Sequence, residues 1–186
     1  KSSKKFNRTM LIDLREYYFS KLSNVSFDPI YITDKMPDNF KYIPIILSAF
    51  PEAKIIHVIR DPAATCWSNY KQYFASKGVG YAYELNDLVV YYNLYKELMN
   101  NWYSKYSDKI YNLRYEELTN NQHSETRNLL KGLGLSWDEN CLFPEKNTRS
   151  VRTASQQQVR RKVYKGSSHQ WQKFAPFLDG VFDSLY

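Results

Sequence analysis

The chain has 186 residues, of which 43% are hydrophobic and 24% charged, and its formal net charge is +7. This composition is typical of a folded globular domain and excludes an intrinsically disordered chain. No apolar run approaches the roughly 18 residues of a membrane span, and the basic residues 1–5 are not followed by a signal-peptide apolar region. The positive charge suits an anionic ligand, such as a nucleotide, an acidic peptide or a nucleic acid, without choosing among them.

The cysteines and histidines give no metal-ligand spacing. Cys66 and Cys141 are the two cysteines of the sequence, and we predict two free thiols and no metal site. Free thiols favour a reducing compartment, so we expect a cytoplasmic protein, or one of the Golgi lumen if the sequence is a eukaryotic fragment. His57 lies in an apolar run, where a hydrogen-bonded core histidine is commoner than a general base.

The spacing of apolar residues predicts helices alternating with strands. The first predicted helix covers 8–23, and Pro29 opens a short predicted strand, Ile30 to Thr33. The later elements, in chain order, are a helix over 42–50, a strand over 55–59, a helix over 62–76, a long amphipathic helix over 85–106, a strand over 110–113, a helix over about 123–131 ending at Gly132 and Gly134, a helical turn over 137–142 and a closing helix over 171–178.

The segment 144–170 is polar, basic and rich in Gln, without a clear period. We interpret it as a long functional loop over a binding site. No internal repeat or second domain is evident, so residues 1–186 are predicted to form a single domain. Strands that alternate with helices imply an α/β fold of three layers with a mainly parallel sheet.

The most informative motif is the strand end at residue 60. The apolar run Ile55–Ile59 leads into Arg60, and Asp61 and Pro62 then suit the cap and first position of a helix. Ligands of open α/β sheets bind at the carboxyl ends of strands, where a guanidinium can hold a phosphate through two hydrogen bonds. Ser68 can add a hydroxyl from the following helix. The alternative for such an Arg is an ion pair with a neighbouring carboxylate.

Motifs along the chain then resemble sulfotransferases, most closely the tyrosylprotein-like branch that includes bacterial enzymes fused to tetratricopeptide repeats. The resemblance covers about residues 30–180. Its motifs are Asp34-Lys35-Met36-Pro37-x-Asn39, Phe50-Pro51-x-Ala53-Lys54-Ile55-Ile56-His57, Arg60-Asp61-Pro62, Tyr115-Glu116-Glu117-Leu118, Gly134-Leu135-x-Trp137-Asp138, Val151-Arg152-Thr153-Ala154-Ser155 and Gln158-Val159-Arg160. The resemblance implies a P-loop-type fold and 3′-phosphoadenosine 5′-phosphosulfate as the nucleotide sulfate donor.

The resemblance assigns donor-binding roles to several of these residues. Arg60 and Ser68 look like the ligands of the 3′-phosphate, and Tyr115 resembles the tyrosine that lies beside the adenine. Arg160 lies in the loop that wraps the nucleotide, with Arg161 within reach. The alternatives are a core tyrosine after a strand for Tyr115 and a solvated basic loop for the two arginines.

Two residues are implied in sulfuryl transfer itself. Lys35 corresponds to a lysine that stabilises charge on the bridging phosphate oxygen, where a fixed cation lowers the barrier. Ser155 aligns with a serine that contacts both the donor and the transition state. Taken without the other motifs, a lysine before Met-Pro is more often a surface residue.

The sequence departs from the family pattern in two places. No glycine precedes Gly78, so the Gly-containing loop that cradles the 5′-phosphosulfate is absent, together with its strand and the glutamate base that follows it. We therefore expect an N-terminally incomplete domain, inert by itself, whose sheet is completed by an upstream segment or a second chain. Gln170 replaces the lysine of tyrosylprotein enzymes, so the acceptor is left open among hydroxyls and amines.

A second class of function competes with sulfuryl transfer. The net charge of +7 and the 17% of aromatic residues also fit a non-enzymatic basic module that binds nucleic acid or another polyanion. Such a module needs a continuous basic stripe, whereas Arg60 and Lys35 each follow a predicted strand. Their placement favours the sulfotransferase hypothesis.

Overall fold

The computed structural model describes residues 7–22, 31–74, 78–148 and 158–186. Its α-helices and β-strands are α1 (Arg8–Leu22), α2 (Ile43–Ala49), β1 (Ile55–Ile59), α3 (Pro62–Tyr70), α4 (Leu85–Tyr106), β2 (Ile110–Arg114), α5 (Tyr115–Asn120) and α6 (Gln122–Leu133). Short 3₁₀ helices cover 37–42, 80–83, 139–142, 144–146, 158–160 and 183–185, and a longer one covers 167–177.

The two strands form a parallel pair. Ile55 lies opposite Ile110 and Ile59 opposite Arg114, so both strands end at the same edge of the sheet. Helix α4 contributes Met99 to the core beside Ile110, whereas Gly132 of α6 faces the ring of Tyr111. Neighbouring strand residues point to opposite faces, so helices lie against both faces of β2. The predicted α/β class with parallel strands is confirmed, and the short loops leave Arg60 and Tyr115 at adjacent strand ends.

Three predicted elements differ from the structure. Residues 31–33, predicted as a strand, have no regular structure, because Tyr31 is 69% exposed and no described strand pairs with them. Residue 30 lies outside the described residues. Helix α3 ends at Tyr70, and Tyr73 beyond it is 77% exposed. The closing helix is of the 3₁₀ type and begins earlier, at Ser167, after Gly166 in the left-handed region at φ 83°.

The larger core lies between α3, α4 and the chain after the 167–177 helix. Its most buried members are Ala63, Cys66, Ala82, Leu88, Phe182 and Leu185. Cys66 and Cys141 are unpaired, as predicted, and burial raises the pKa of the Cys66 thiol to about 12. A buried thiol of this kind is an unreactive packing residue.

His57 forms a half-buried polar cluster on the face of β1 that meets α4. Its Nδ1 contacts the Tyr103 hydroxyl and its Nε2 contacts the Tyr95 hydroxyl. The Tyr103 hydroxyl donates to Asn112 Oδ1 at 2.7 Å, so it accepts from Nδ1–H, and Nε2 accepts from Tyr95. His57 is therefore a hydrogen-bonded core residue, in agreement with the sequence prediction. Burial lowers the pKa of His57 below its ordinary value, and the interaction with the Asn112 side chain raises it by a smaller amount.

This cluster predicts a pH-dependent stability. Since the folded pKa of His57 lies below the unfolded value of about 6.5, the unfolded state binds the extra proton, and the stabilisation is lost as the pH falls below that value. We expect the free energy of unfolding, measured in urea between pH 7.5 and 5.5, to fall by up to about 1.4 kcal/mol per pH unit from this group. His57→Gln should show a flatter profile. Parallel profiles in the two proteins would contradict this role of His57.

Candidate functional site

The candidate site lies where β1 passes into α3. Asp61 caps the helix, because its Oδ1 accepts from the backbone N–H of Ala64 at 2.7 Å, and Pro62 takes the first helical position. Both features were predicted from the sequence. The tight junction leaves Arg60 at the carboxyl end of β1, between the end of β2 and the 167–177 helix.

The Arg60 guanidinium contacts the turn at Ser167 and Ser168. Its Nε donates to Ser168 Oγ at 3.1 Å, and its Nη2 donates to the Ser167 carbonyl at 3.1 Å and to Ser167 Oγ at 3.3 Å. The guanidinium also lies 5.0 Å from the centroid of the Tyr115 ring, whose hydroxyl is 2.8 Å from Ser167 Oγ. Arg60 forms no ion pair with a carboxylate of the described residues, so the alternative of a simple ion pair is not observed.

A closed ring of hydrogen bonds fixes this arginine. The Ser168 hydroxyl, in a residue only 5% exposed, accepts from Arg60 and donates to Glu116 Oε1. Glu116 Oε1 also accepts from the backbone N–H of Asp61 at 3.1 Å, and Asp61 is bonded covalently to Arg60. Partial burial works against ionisation of Glu116, but these hydrogen bonds and the charge of Arg60 hold its pKa below the ordinary value. Glu116 is therefore an ionised support for Arg60.

These residues form one wall of a cavity of about 380 Å³. The wall continues through Arg114 at the end of β2, His169 and Trp171. A smaller pocket of about 70 Å³ lies on the other side of Ser168, against Tyr115. The larger cavity has the volume range of a small-molecule site and combines aromatic rings with few convergent charges.

Arg60 retains donors that can bind a ligand. Its hydrogen bonds to the described residues use Nε and Nη2, so Nη1 has no acceptor among them. An Nη1 amino group at a strand end can donate to an oxygen of a phosphate or sulfate group. The arrangement can bind an anion beside an aromatic ring.

The structure brings some predicted site residues together and separates others. Arg60 and Tyr115 are in contact. Ser68, Arg160 and Arg161 are exposed, and none of the three lines either cavity. Ser155 lies outside the described residues.

Lys35 is exposed, in an irregular segment and not at a strand end. The residues around it are held from two sides: Asp34 accepts from the Tyr18 hydroxyl of α1 at 3.1 Å, and Asp38 accepts from the Tyr91 hydroxyl of α4 at 3.3 Å. The backbone beside Lys35 is therefore fixed although its side chain lies in solvent.

The sequence predictions missed Glu116, Ser167 and Ser168. Glu116 is part of a motif quoted above, and its position directly after Tyr115 was the available signal. Gly166 before two serines was a second signal, since a glycine in the left-handed region opens a tight turn whose hydroxyls and N–H groups can converge. The glycine and serines do not identify Arg60 as their partner, which lies 107 and 108 residues away from the two serines.

The site lies at the strand ends of an α/β protein and offers a guanidinium group at the cavity wall. A profile of the Sulfotransferase family matches residues 3–139. An uncharacterized protein of Aquifex aeolicus is 33% identical over 182 residues, which are 97% of this chain and 24% of that protein. The omega-hydroxy-beta-dihydromenaquinone-9 sulfotransferases of Mycobacterium bovis and Mycobacterium tuberculosis are each 30% identical over 146 residues, 75% of this chain and 36% of theirs.

The chain belongs to the sulfotransferase family. It spans 24% to 36% of the length of these curated relatives. Within the described part of the chain, every helix falls short of the length or apolar character needed to cross a bilayer.

Proposed function

We propose that this chain forms the 3′-phosphate and adenine side of a site for 3′-phosphoadenosine 5′-phosphosulfate, in a protein that transfers the sulfuryl group to a hydroxyl or amine acceptor. The observation that carries the proposal is the Arg60 guanidinium, held at the end of β1 with Nη1 directed to no described acceptor and with the Tyr115 ring against it. The ring supplies a stacking surface for the adenine. Arg60 supplies the planar donors for the phosphate.

Ser68, Arg160 and Arg161 complete the donor site in this proposal. Arg160 and Arg161 lie beside the segment 149–157, which includes Ser155 and is not described. In the proposal, these arginines and Ser155 contact the bound nucleotide. No metal takes part, and the charge of the phosphates is balanced by guanidinium and ammonium groups.

Lys35 and Ser155 act on the transferring group in this proposal. Sulfuryl transfer breaks the bond between sulfur and the bridging oxygen of the donor and forms one between sulfur and the acceptor oxygen or nitrogen. In this proposal the proton of the acceptor passes to the glutamate base of the family pattern. Negative charge collects on the bridging oxygen, and a fixed ammonium group there is stabilising. The anchored backbone around Lys35 suits that role. The mycobacterial relatives are named for a hydroxyl acceptor, which favours a hydroxyl here also.

The sheet of the whole protein is proposed to be larger, in a three-layer P-loop-type fold. Among the described residues only β2 pairs with β1, and Ile56 and Val58 of β1 are 41% and 54% exposed. An upstream segment or a second chain that pairs with β1 would cover its free edge, and an element packed on this face of the enlarged sheet would cover these side chains. The cytoplasm suits this assignment, since the donor nucleotide and the free thiol of Cys141 are compatible with it.

The test is a thermal-shift titration of the chain with adenosine 3′,5′-bisphosphate and with adenosine 5′-phosphate. We expect the bisphosphate to raise the melting temperature at lower concentration, because only it carries the 3′-phosphate for Arg60. Equal shifts with the two nucleotides would overturn the proposal. Affinity for single-stranded DNA that falls steeply with salt, without a preference for the bisphosphate, would instead support a basic binding module.

A further inference from the structure

The chain after the 167–177 helix returns to the candidate site. Phe182 and Leu185 are 3% and 1% exposed and pack in the core against α3 and α4. The Leu185 carbonyl accepts from Lys96 Nζ of α4 at 2.8 Å. These contacts fix the position of the next residue, Tyr186, which lines the same cavity as Arg60 and Asp61.

The Tyr186 hydroxyl donates to Asp61 Oδ2 at 2.7 Å. Since Asp61 Oδ1 accepts from the N–H of Ala64, each carboxylate oxygen of Asp61 has its own donor. Partial burial is the largest cause that raises the pKa of Tyr186, and the hydrogen bond to Asp61 and the charge of Asp61 raise it further. The phenol therefore stays protonated and remains a donor at neutral pH.

We propose that Tyr186 is a positioning residue of the anion site, which holds the Asp61 carboxylate away from Arg60 and from the bound phosphate. The proposal rests on the proposed function, in which Arg60 binds the 3′-phosphate. Asp61 lies next to Arg60 in the sequence because it caps helix α3, which follows β1 directly. Its negative charge opposes anion binding in the cavity that both residues line. The hydroxyl of Tyr186 donates to Oδ2 of Asp61 and so keeps this oxygen from turning toward the bound phosphate.

A double-mutant cycle tests this role. Tyr186→Phe removes only the hydroxyl, and the ring is 71% exposed, so little packing changes. We expect the affinity for adenosine 3′,5′-bisphosphate, measured by isothermal titration calorimetry, to fall roughly three- to tenfold, while that for adenosine 5′-phosphate changes little. In the Asp61→Asn background, where the cap is kept and the charge is gone, Tyr186→Phe should have no further effect.

Tyr83→Phe is the matched control, because it likewise removes one phenol hydroxyl, which donates to the Phe74 carbonyl at 2.8 Å and lies outside the cavity wall. It should lower stability and leave the ratio of the two nucleotide affinities unchanged. A wild-type chain without preference for the bisphosphate overturns the proposed function and this role with it. If the wild-type chain prefers the bisphosphate, two results overturn only the role of Tyr186. One is a Tyr186→Phe variant that keeps the full preference. The other is a loss of preference on Tyr186→Phe that is equally large in the wild-type and Asp61→Asn backgrounds.

Discussion

Replacing Arg60 by alanine is expected to abolish the preference for adenosine 3′,5′-bisphosphate over adenosine 5′-phosphate. The substitution removes the guanidinium that the ring of Ser168, Glu116 and Asp61 holds at the strand end. Truncation of one partner of a buried charged pair typically costs about 2–5 kcal/mol, so the bisphosphate affinity should fall roughly 30-fold or more. Isothermal titration with both nucleotides measures the effect.

Two further variants separate ligand binding from general charge. Arg127→Ala removes the same charge from α6, where the side chain lies over Trp137 and outside the cavity wall, and should bind as the wild type does. Arg60→Lys keeps the charge but loses the planar pair of donors, and an intermediate affinity is expected. An Arg60→Ala variant that binds the bisphosphate as tightly as Arg127→Ala would refute the site.

The elements fixed by local patterns were predictable from the sequence. Strand β1 and helix α4 have the predicted bounds. A short apolar run and a long stretch of helical spacing each identify their element from residues that are close in sequence. The junction at Asp61 and Pro62 was predictable for the same reason, since helix capping depends on residues that are adjacent in sequence. Arg60 could therefore be placed at a strand end before any contact was known.

The support of Arg60 could not be predicted in this way. Ser167 and Ser168 reach it across more than 100 residues, and serine pairs after a glycine are too common to identify such a contact. Tyr186 is a comparable case, because its hydrogen bond to Asp61 depends on how Leu185 packs. Tertiary packing, not a local pattern, positions these side chains.

The predicted strand at Ile30–Thr33 was wrong over its described residues for a related reason. Strand propensity reports a fit to a half-buried pleated surface, and residues 31–33 find no such surface in the described structure. Lys35 was consequently predicted at a strand end and instead lies in an anchored irregular segment. Its motif, which came from the family resemblance, remains the basis of its proposed role.

Leu185→Ala is expected to produce the largest loss of stability. Leu185 is 1% exposed and packs in the core cluster that includes Ala63, Cys66 and Leu88, although it lies in a short 3₁₀ helix. Truncation of a buried leucine to alanine leaves a cavity and costs about 2–5 kcal/mol. The free energy of unfolding from urea denaturation should fall by that amount, with Leu185→Val giving a smaller loss.

Phe177→Ala is the matched control, because this larger side chain lies in the adjoining segment but is 81% exposed. Its effect should stay within about 0.5 kcal/mol, as is usual for surface substitutions. If the two alanine variants lost equal stability, the segment after the 167–177 helix would not be part of the core. Equal losses would also remove the physical basis for holding Tyr186 against Asp61, because that contact depends on the burial of Leu185. The stability of this segment and the arrangement of the anion site are therefore tested together by one pair of substitutions.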